Sequence, residues 1–252
     1  MRDLLLLLET SGPTSSVALA QRAGDTWAIL AQAPPADEGP RPEMQHTAEL
    51  LPLIRAVLPP DGWGRLCAVA TSSGPGSYTA LRAGLSTAKG ICLARELPLI
   101  QASTMRGMAA VARERLTPKP ATAHDDRSGA ATTDPEPEVI LVVLPARRNE
   151  VYAATYAWAD LREVAAPAVV ENDGAWRAGQ LSTAQAAVCA GSAALLASFD
   201  VRRTRGAVVS VAASNLLAEC SLRISENLFD DLAASVPLYV RAPFITRART
   251  RL

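Results

Sequence analysis

The stretch SSGPGSYTALRAG, Ser72–Gly84, sets two glycines and a proline in front of a run with helical spacing. Gly74 and Gly76 tolerate positive φ and let another group approach the backbone, while Pro75 stiffens the bend between them. A short apolar strand, Leu66–Thr71, precedes the corner, and a long helix over roughly Thr79–Arg95 follows it. Strand, glycine turn and helix in that order point to an α/β fold. The free N–H groups and dipole of such a helix favour an anion in the corner. The same residues read equally as a tight turn in which Ser77 or Thr79 caps the helix.

Upstream, Leu4–Leu8, Ser16–Gln21 and Trp27–Ala31 read as strands, and His46–Leu58 as a helix with Leu50, Leu53, Ile54 and Val57 at helical spacing. Pro52 inside that helix is expected to kink it or shift its start. Downstream, Leu97–Gln101 is a further strand. The composition then changes over Thr117–Glu138, TPKPATAHDDRSGAATTDPEPE, which has four prolines and almost no large apolar side chain. Such a segment cannot bury enough surface to order itself and is expected to be flexible. Beyond it, Val139–Leu144 and Val151–Trp158 form a hairpin around PARRN, with strands at Val164–Val170, Ala187–Ala190 and Ala207–Val211 and helices at Ser192–Phe199 and Ala213–Glu226. The second half roughly repeats the βββαβα order of the first, so two lobes of similar topology are expected.

The chain has 252 residues, with 25 basic and 25 acidic side chains. A zero net charge draws the whole molecule toward neither nucleic acid nor a membrane surface. Cys67, Cys92, Cys189 and Cys220 are far apart, with no C-x-x-C, which argues against a zinc site or a disulfide framework. The apolar run Leu4–Leu8 is too short for a signal-peptide core or a membrane span, and a cytoplasmic protein with no membrane contact is expected. Only His46 and His124 are present, so a multi-histidine metal site is excluded by count and no Ser/His/Asp or Cys/His arrangement can be built.

The first strand ends in Glu9-Thr10-Ser11. A carboxylate at a strand end beside a Gly/Ser turn can hold a hydrated magnesium ion near phosphates, and it can equally be a polar strand end. The helix behind the corner carries Leu81, Leu85, Ala88, Ile91 and Cys92 as an apolar stripe, with Ala83, Gly84 and Gly90 among them. Glycine inside a helix costs up to about 1 kcal/mol against alanine, so two of them suggest close packing with another element. Arg147, Arg148 and Glu150 read as a charged hairpin tip.

In order along the chain, LLLLLETSGPTSSVALA, HTAELLPLIRAVL, AVATSSGPGSYTALRAGLSTAKGICLARELPLIQASTM, PARRNEVYAATY and PLYVR resemble the TsaB (YeaZ) proteins of bacteria, densely over residues 4–108 and in patches beyond. The resemblance implies an actin-like (ASKHA, ribonuclease-H-type) fold of two lobes, 1–104 with the partner-binding helices and 105–252. It implies a part in making threonylcarbamoyladenosine beside the anticodon of tRNAs that read ANN codons. TsaB proteins pair with a catalytic relative, TsaD, which carries a metal-binding HxxxH. Here HTAEL places Leu50 where the second histidine would stand. The resemblance therefore implies a non-catalytic scaffold that supports TsaD together with the ATPase TsaE, meets tRNA indirectly or weakly, and pairs with itself when alone. No metal is implied, and ATP or ADP at the junction with TsaD is the one cofactor left open.

Two departures from the family pattern weaken nucleotide hydrolysis. Glu9 stands where Asp is usual, and Pro145 replaces the acid of DARRGEVY. The partner face is expected along His46, Leu50, Leu53, Leu81 and Leu85, flanked by Arg82 and Lys89. The alternative is a phosphotransferase or ATPase of the same fold using Glu9, Thr10, Ser11, Gly74, Gly76 and Ser77.

Overall fold

The structure is a computed structural model that describes residues 2–34, 46–117, 136–182, 186–199 and 205–240. Nearly all of the Pro-rich segment 117–138 lies outside the described residues.

Five consecutive leucines make β1 (Leu4–Glu9). Leu4, Leu6 and Leu8 pack into one apolar cluster and Leu5 and Leu7 into another on the opposite side. Successive strand residues point to opposite faces, so an unbroken apolar run belongs to a central strand covered on both sides. β1 pairs antiparallel with β2 (Ser16–Ala23) and parallel with β4 (Leu66–Gly74). With β3 (Thr26–Ala33) and β5 (Leu99–Ser103) the first sheet runs β3-β2-β1-β4-β5. Helices α1 (His46–Val57) and α2 (Tyr78–Arg95) cover one face. α1 runs through Pro52 and still buries Leu50, Ile54 and Val57.

The second half repeats the plan. β6 (Val139–Pro145), β7 (Glu150–Ala157), β8 (Glu163–Glu171), β9 (Ala186–Ala190) and β10 (Gly206–Val208) form a sheet in the order β10-β9-β6-β7-β8. Ile140, Val142 and Leu144 of β6 face one cluster, and Leu141 and Val143 the other. The repeat is fuller than the sequence suggested, because two helices went unread. α3 (Thr104–Leu116) buries Met105, Met108, Ala109 and Ala112, a stripe of methionine and alanine. α4 (Gly174–Ser182) contains Gly174 and Gly179, which lower helix propensity. With α5 (Ala193–Ala197) and α6 (Leu217–Ser225), each half reads βββαβαβα. The helix expected over Ala213–Glu226 is divided into a 3₁₀ turn, Ala213–Leu216, and α6.

The last helix of each half packs on the sheet of the other. α3 lies on the second sheet among Ile140, Val142, Ala187 and Val209. Ala213, Leu216 and Cys220 close the first sheet under Leu5, Leu7, Ala68 and Ile100. After α6, residues 227–239 run along the outer edge of the first sheet. Asp230 donates its N–H to the Leu99 carbonyl (2.9 Å) and its carboxylate accepts from Gln101 N–H (2.6 Å). The Leu238 N–H reaches the Ser73 carbonyl at 2.8 Å, which brings Tyr239 onto Tyr78 with ring centroids 4.7 Å apart.

Candidate functional site

Because β1 and β4 run parallel and adjacent, the turns that follow them meet at one end of the sheet. Gly74 has φ +106°, a conformation open to glycine and strained for other residues, and its bond to Pro75 is cis. A methyl group on Gly76 would overlap the Ser11 carbonyl and stand 2.7 Å from Ser11 Cα, so this glycine lets the two turns touch. Ser77 occupies the N-cap position of α2, yet its hydroxyl makes no cap bond. The β6–β7 hairpin approaches from the second lobe. Between the lobes lies a cavity of about 620 Å³ lined by Ser11, Pro13, Gly76, Ser77 and Tyr78 on one side and Pro145, Arg147, Glu150, Tyr152 and Val211 on the other.

Glu9 does not face this cavity. It is fully buried, with Oε1 accepting the Ser11 N–H (2.7 Å) and Oε2 accepting the Thr104 hydroxyl (3.0 Å). Ser11 Oγ and Thr104 Oγ1 are 2.9 Å apart, and Thr10 N–H donates to Ser72 Oγ at 3.2 Å. Burial raises the Glu9 pKa, and the hydrogen bonds from Ser11, Ser72 and Thr104 offset part of that rise. Thr10 is buried against α2, where a side chain on Gly84 would overlap its hydroxyl. Gly84 thus serves helix-on-strand packing. Of the six residues expected at a phosphate, Ser11, Gly76 and Ser77 reach the cavity, whereas Glu9, Thr10 and Gly74 stand behind its wall.

The Glu9 network spans β1 and the first residue of α3, the helix that joins the lobes. On the other side of that joint the Ser103 N–H donates to Glu219 Oε2 (3.0 Å), and Ser103 Oγ accepts from Arg106 N–H (3.2 Å). Burial raises the Glu219 pKa, and it pushes that of Tyr156, whose hydroxyl lies 3.5 Å from Ser103 Oγ, up to about 12. Among the described residues no group of three or more His, Cys, Asp or Glu could hold a metal ion. Leu50, at the position where HxxxH would need histidine, is buried in the core.

The expected partner seam requires correction. Leu50 (1% exposed), Leu81 (1%) and Leu85 (5%) are buried within this chain, and Leu53 packs half-buried against the same core. Their stripe is apolar because it meets the first sheet. Arg82 instead donates to the Tyr78 hydroxyl (2.9 Å), and Lys89 donates to the Ser235 carbonyl (2.8 Å), tying α2 to the 227–239 segment. His46 starts α1. The outward face of the helix pair is a different stripe. Leu51 (54% exposed), Trp63, Thr87, Gly90, Ile91, Ala94 and Arg95 border an open groove of about 400 Å³, with the Arg95 guanidinium 5.5 Å from the Trp63 ring centre. The signal for it in the sequence was Leu51, one position off the core stripe, together with the small residues at 83, 87, 90 and 94.

A profile of the family described as TsaD: tRNA N6-adenosine threonylcarbamoyltransferase matches residues 39–247. The Escherichia coli tRNA threonylcarbamoyladenosine biosynthesis protein TsaB is 33% identical over 114 residues, 44% of this chain and 41% of that protein. Its Haemophilus influenzae counterpart is 33% identical over 156 residues, 60% of this chain and 53% of that protein. The chain thus matches about half the length of these curated relatives. In fold it is similar to YeaZ from Pseudomonas aeruginosa, with TM-score 0.65 and 18% identity over 94% of this chain and 99% of that one. A second Pseudomonas aeruginosa structure, of an uncharacterized protein with similarity to peptidase YEAZ, superposes with TM-score 0.67 and 20% identity over 95% and 100%. The paired five-stranded sheets are those of the actin-like fold, and the chain belongs to the TsaD-type family, on its TsaB (YeaZ) branch.

Proposed function

We propose that this chain is a non-catalytic scaffold subunit in the formation of tRNA threonylcarbamoyladenosine, and that it docks a TsaD-type catalytic partner through the outward face of α1 and α2. The observation that carries the reading is the groove bordered by Leu51, Thr87, Gly90, Ile91 and Ala94. Small residues on a helix let a second helix come near enough to bury Leu51 and Ile91. An exposed large apolar side chain beside such a groove marks an interaction surface better than a scattered one does. In the absence of the partner the same face pairs two copies of this chain. TsaE joins the pair, and tRNA meets this subunit indirectly.

A scaffold role is supported by Glu9, whose two oxygens are both engaged inside the protein, and by Pro145 at the cleft wall. Phosphoryl transfer needs carboxylates free to hold a metal and a positioned base. Among the described residues no helix is long and apolar enough to cross a membrane, in keeping with a cytoplasmic site of action. The test is co-purification with the TsaD of the same organism, followed by a tRNA modification assay with and without this chain. Ala94→Arg, at an exposed position of α2, is expected to keep the fold while abolishing both co-purification and the stimulation of modification. Full docking by that variant would overturn the assignment of the face.

A further inference from the structure

The groove on the outward face of α1 and α2 is apolar along its length and cationic at one end. Strands β3, β1 and β4 all run the same way, because β2 is antiparallel to both β1 and β3 while β1 and β4 are parallel. α1 links β3 to β4, and α2 links β4 to its parallel neighbour β5. Each helix returns against the strands it joins, so the two helices lie parallel and finish at the same end. Both carry an arginine in the last turn, Arg55 and Arg95. Each arginine stands four residues after an apolar side chain of the groove, Leu51 or Ile91, and so lies one turn further along the same face. Arg95 borders the groove itself and is held over the Trp63 ring, 5.5 Å from its centre. A cation in a last turn offsets the helix dipole, but that role needs neither the ring beneath Arg95 nor a place at the groove. Arg55 and Arg95 are exposed, and among the described residues neither forms an ion pair. No described Asp or Glu borders the groove.

We propose that this end of the groove selects the partner by charge: the docking helix lays apolar residues over Leu51 and Ile91 and, one turn further on, presents a carboxylate to Arg95 and Arg55. The inference rests on docking through this face and names what the partner must carry there. Apolar contact alone does not distinguish one apolar helix from another, whereas a cation left unmatched on docking opposes the wrong partner. Trp63 supports that selection. Stacking on the ring orients the guanidinium before the partner arrives, so less side-chain freedom is lost on pairing. A second copy of this chain brings a groove without a described acid, so self-pairing leaves the arginines unmatched and is the weaker of the two associations. Added salt therefore acts in opposite directions, weakening the heteromeric pair and strengthening the homomeric one.

The test measures the affinity of the full chain for the TsaD of the same organism by calorimetry, and its self-association by analytical ultracentrifugation, between about 0.05 and 0.5 M NaCl. Arg95→Glu and Arg55→Glu change exposed positions and should keep the wild-type circular dichroism. Arg95→Glu should weaken docking roughly tenfold or more and remove most of its salt dependence. Arg55→Glu should act in the same direction to a smaller extent, and Arg95→Lys should stay near wild type. In a series of single Asp→Lys and Glu→Lys changes in the partner, one should restore binding to Arg95→Glu. Docking that Ala94→Arg abolishes, but that Arg95→Glu and Arg55→Glu leave intact at every salt concentration, would overturn the proposal and keep the docking face. Docking untouched by Ala94→Arg, or none by the wild-type chain, would overturn the face and the proposal with it. Self-association tighter than docking at low salt would overturn the selection by charge.

Discussion

Glu9 shows how one residue changes meaning between sequence and structure. At a strand end beside a Gly/Ser turn it reads as a metal-holding acid, yet both its oxygens are spent on Ser11 and Thr104 within a fully buried site. Burial raises its pKa above the ordinary glutamate value of about 4.3, so the folded chain holds the proton more tightly than the unfolded chain does. The stability it contributes is then complete below the unfolded value and is lost as pH rises through the folded one. Glu9→Gln, neutral at every pH, removes that loss. Urea midpoints of the variant relative to wild type are expected to be higher at pH 8 than at pH 5. A difference that stays flat between these pH values would mean that Glu9 titrates alike in both states.

At the scale of the element, α2 carries two stripes that differ in what they meet. Leu81, Leu85, Ala88 and Cys92 belong to the core, while Thr87, Gly90, Ile91 and Ala94 border the outer groove. Hydrophobic periodicity locates the first stripe without saying whether a sheet or a second protein covers it, and the expected docking seam was placed there for that reason. Substitution separates the two. Leu85→Arg buries an unpaired charge, at a cost of several kcal/mol, and should leave little folded protein by circular dichroism. The Ala94→Arg variant, at an exposed position of the same helix, should retain the wild-type spectrum. A folded Leu85→Arg monomer would return that leucine to the surface.

At the scale of the whole molecule, the exchange of α3 and α6 ties the two lobes into one cooperative unit. Neither sheet is covered on both faces without a helix from the other half. Burial raises the pKa values of all four thiols, with Cys92 at about 11 in the first lobe and Cys189 at about 12 in the second, so both react through opening of the fold. Labelling of Cys92 and Cys189 by a thiol reagent across a urea series should follow a single transition. Two separated midpoints would show lobes that unfold independently. The duplicated order of strands, the covered central strands announced by LLLLL and VILVVL, and the corner that launches α2 were determined by the sequence itself, because alternation, apolar runs and Gly-Pro-Gly turns are local signals. Helices α3 and α4 were not legible, since Met, Ala and Gly give weak periodicity. Only the tertiary structure decided which side of α2 is buried, that Glu9 is sealed while Ser77 is open, and that Tyr152 from one lobe faces Ser77 from the other. Those facts depend on which surfaces, distant in the chain, come to cover one another, and no local pattern of residues encodes that.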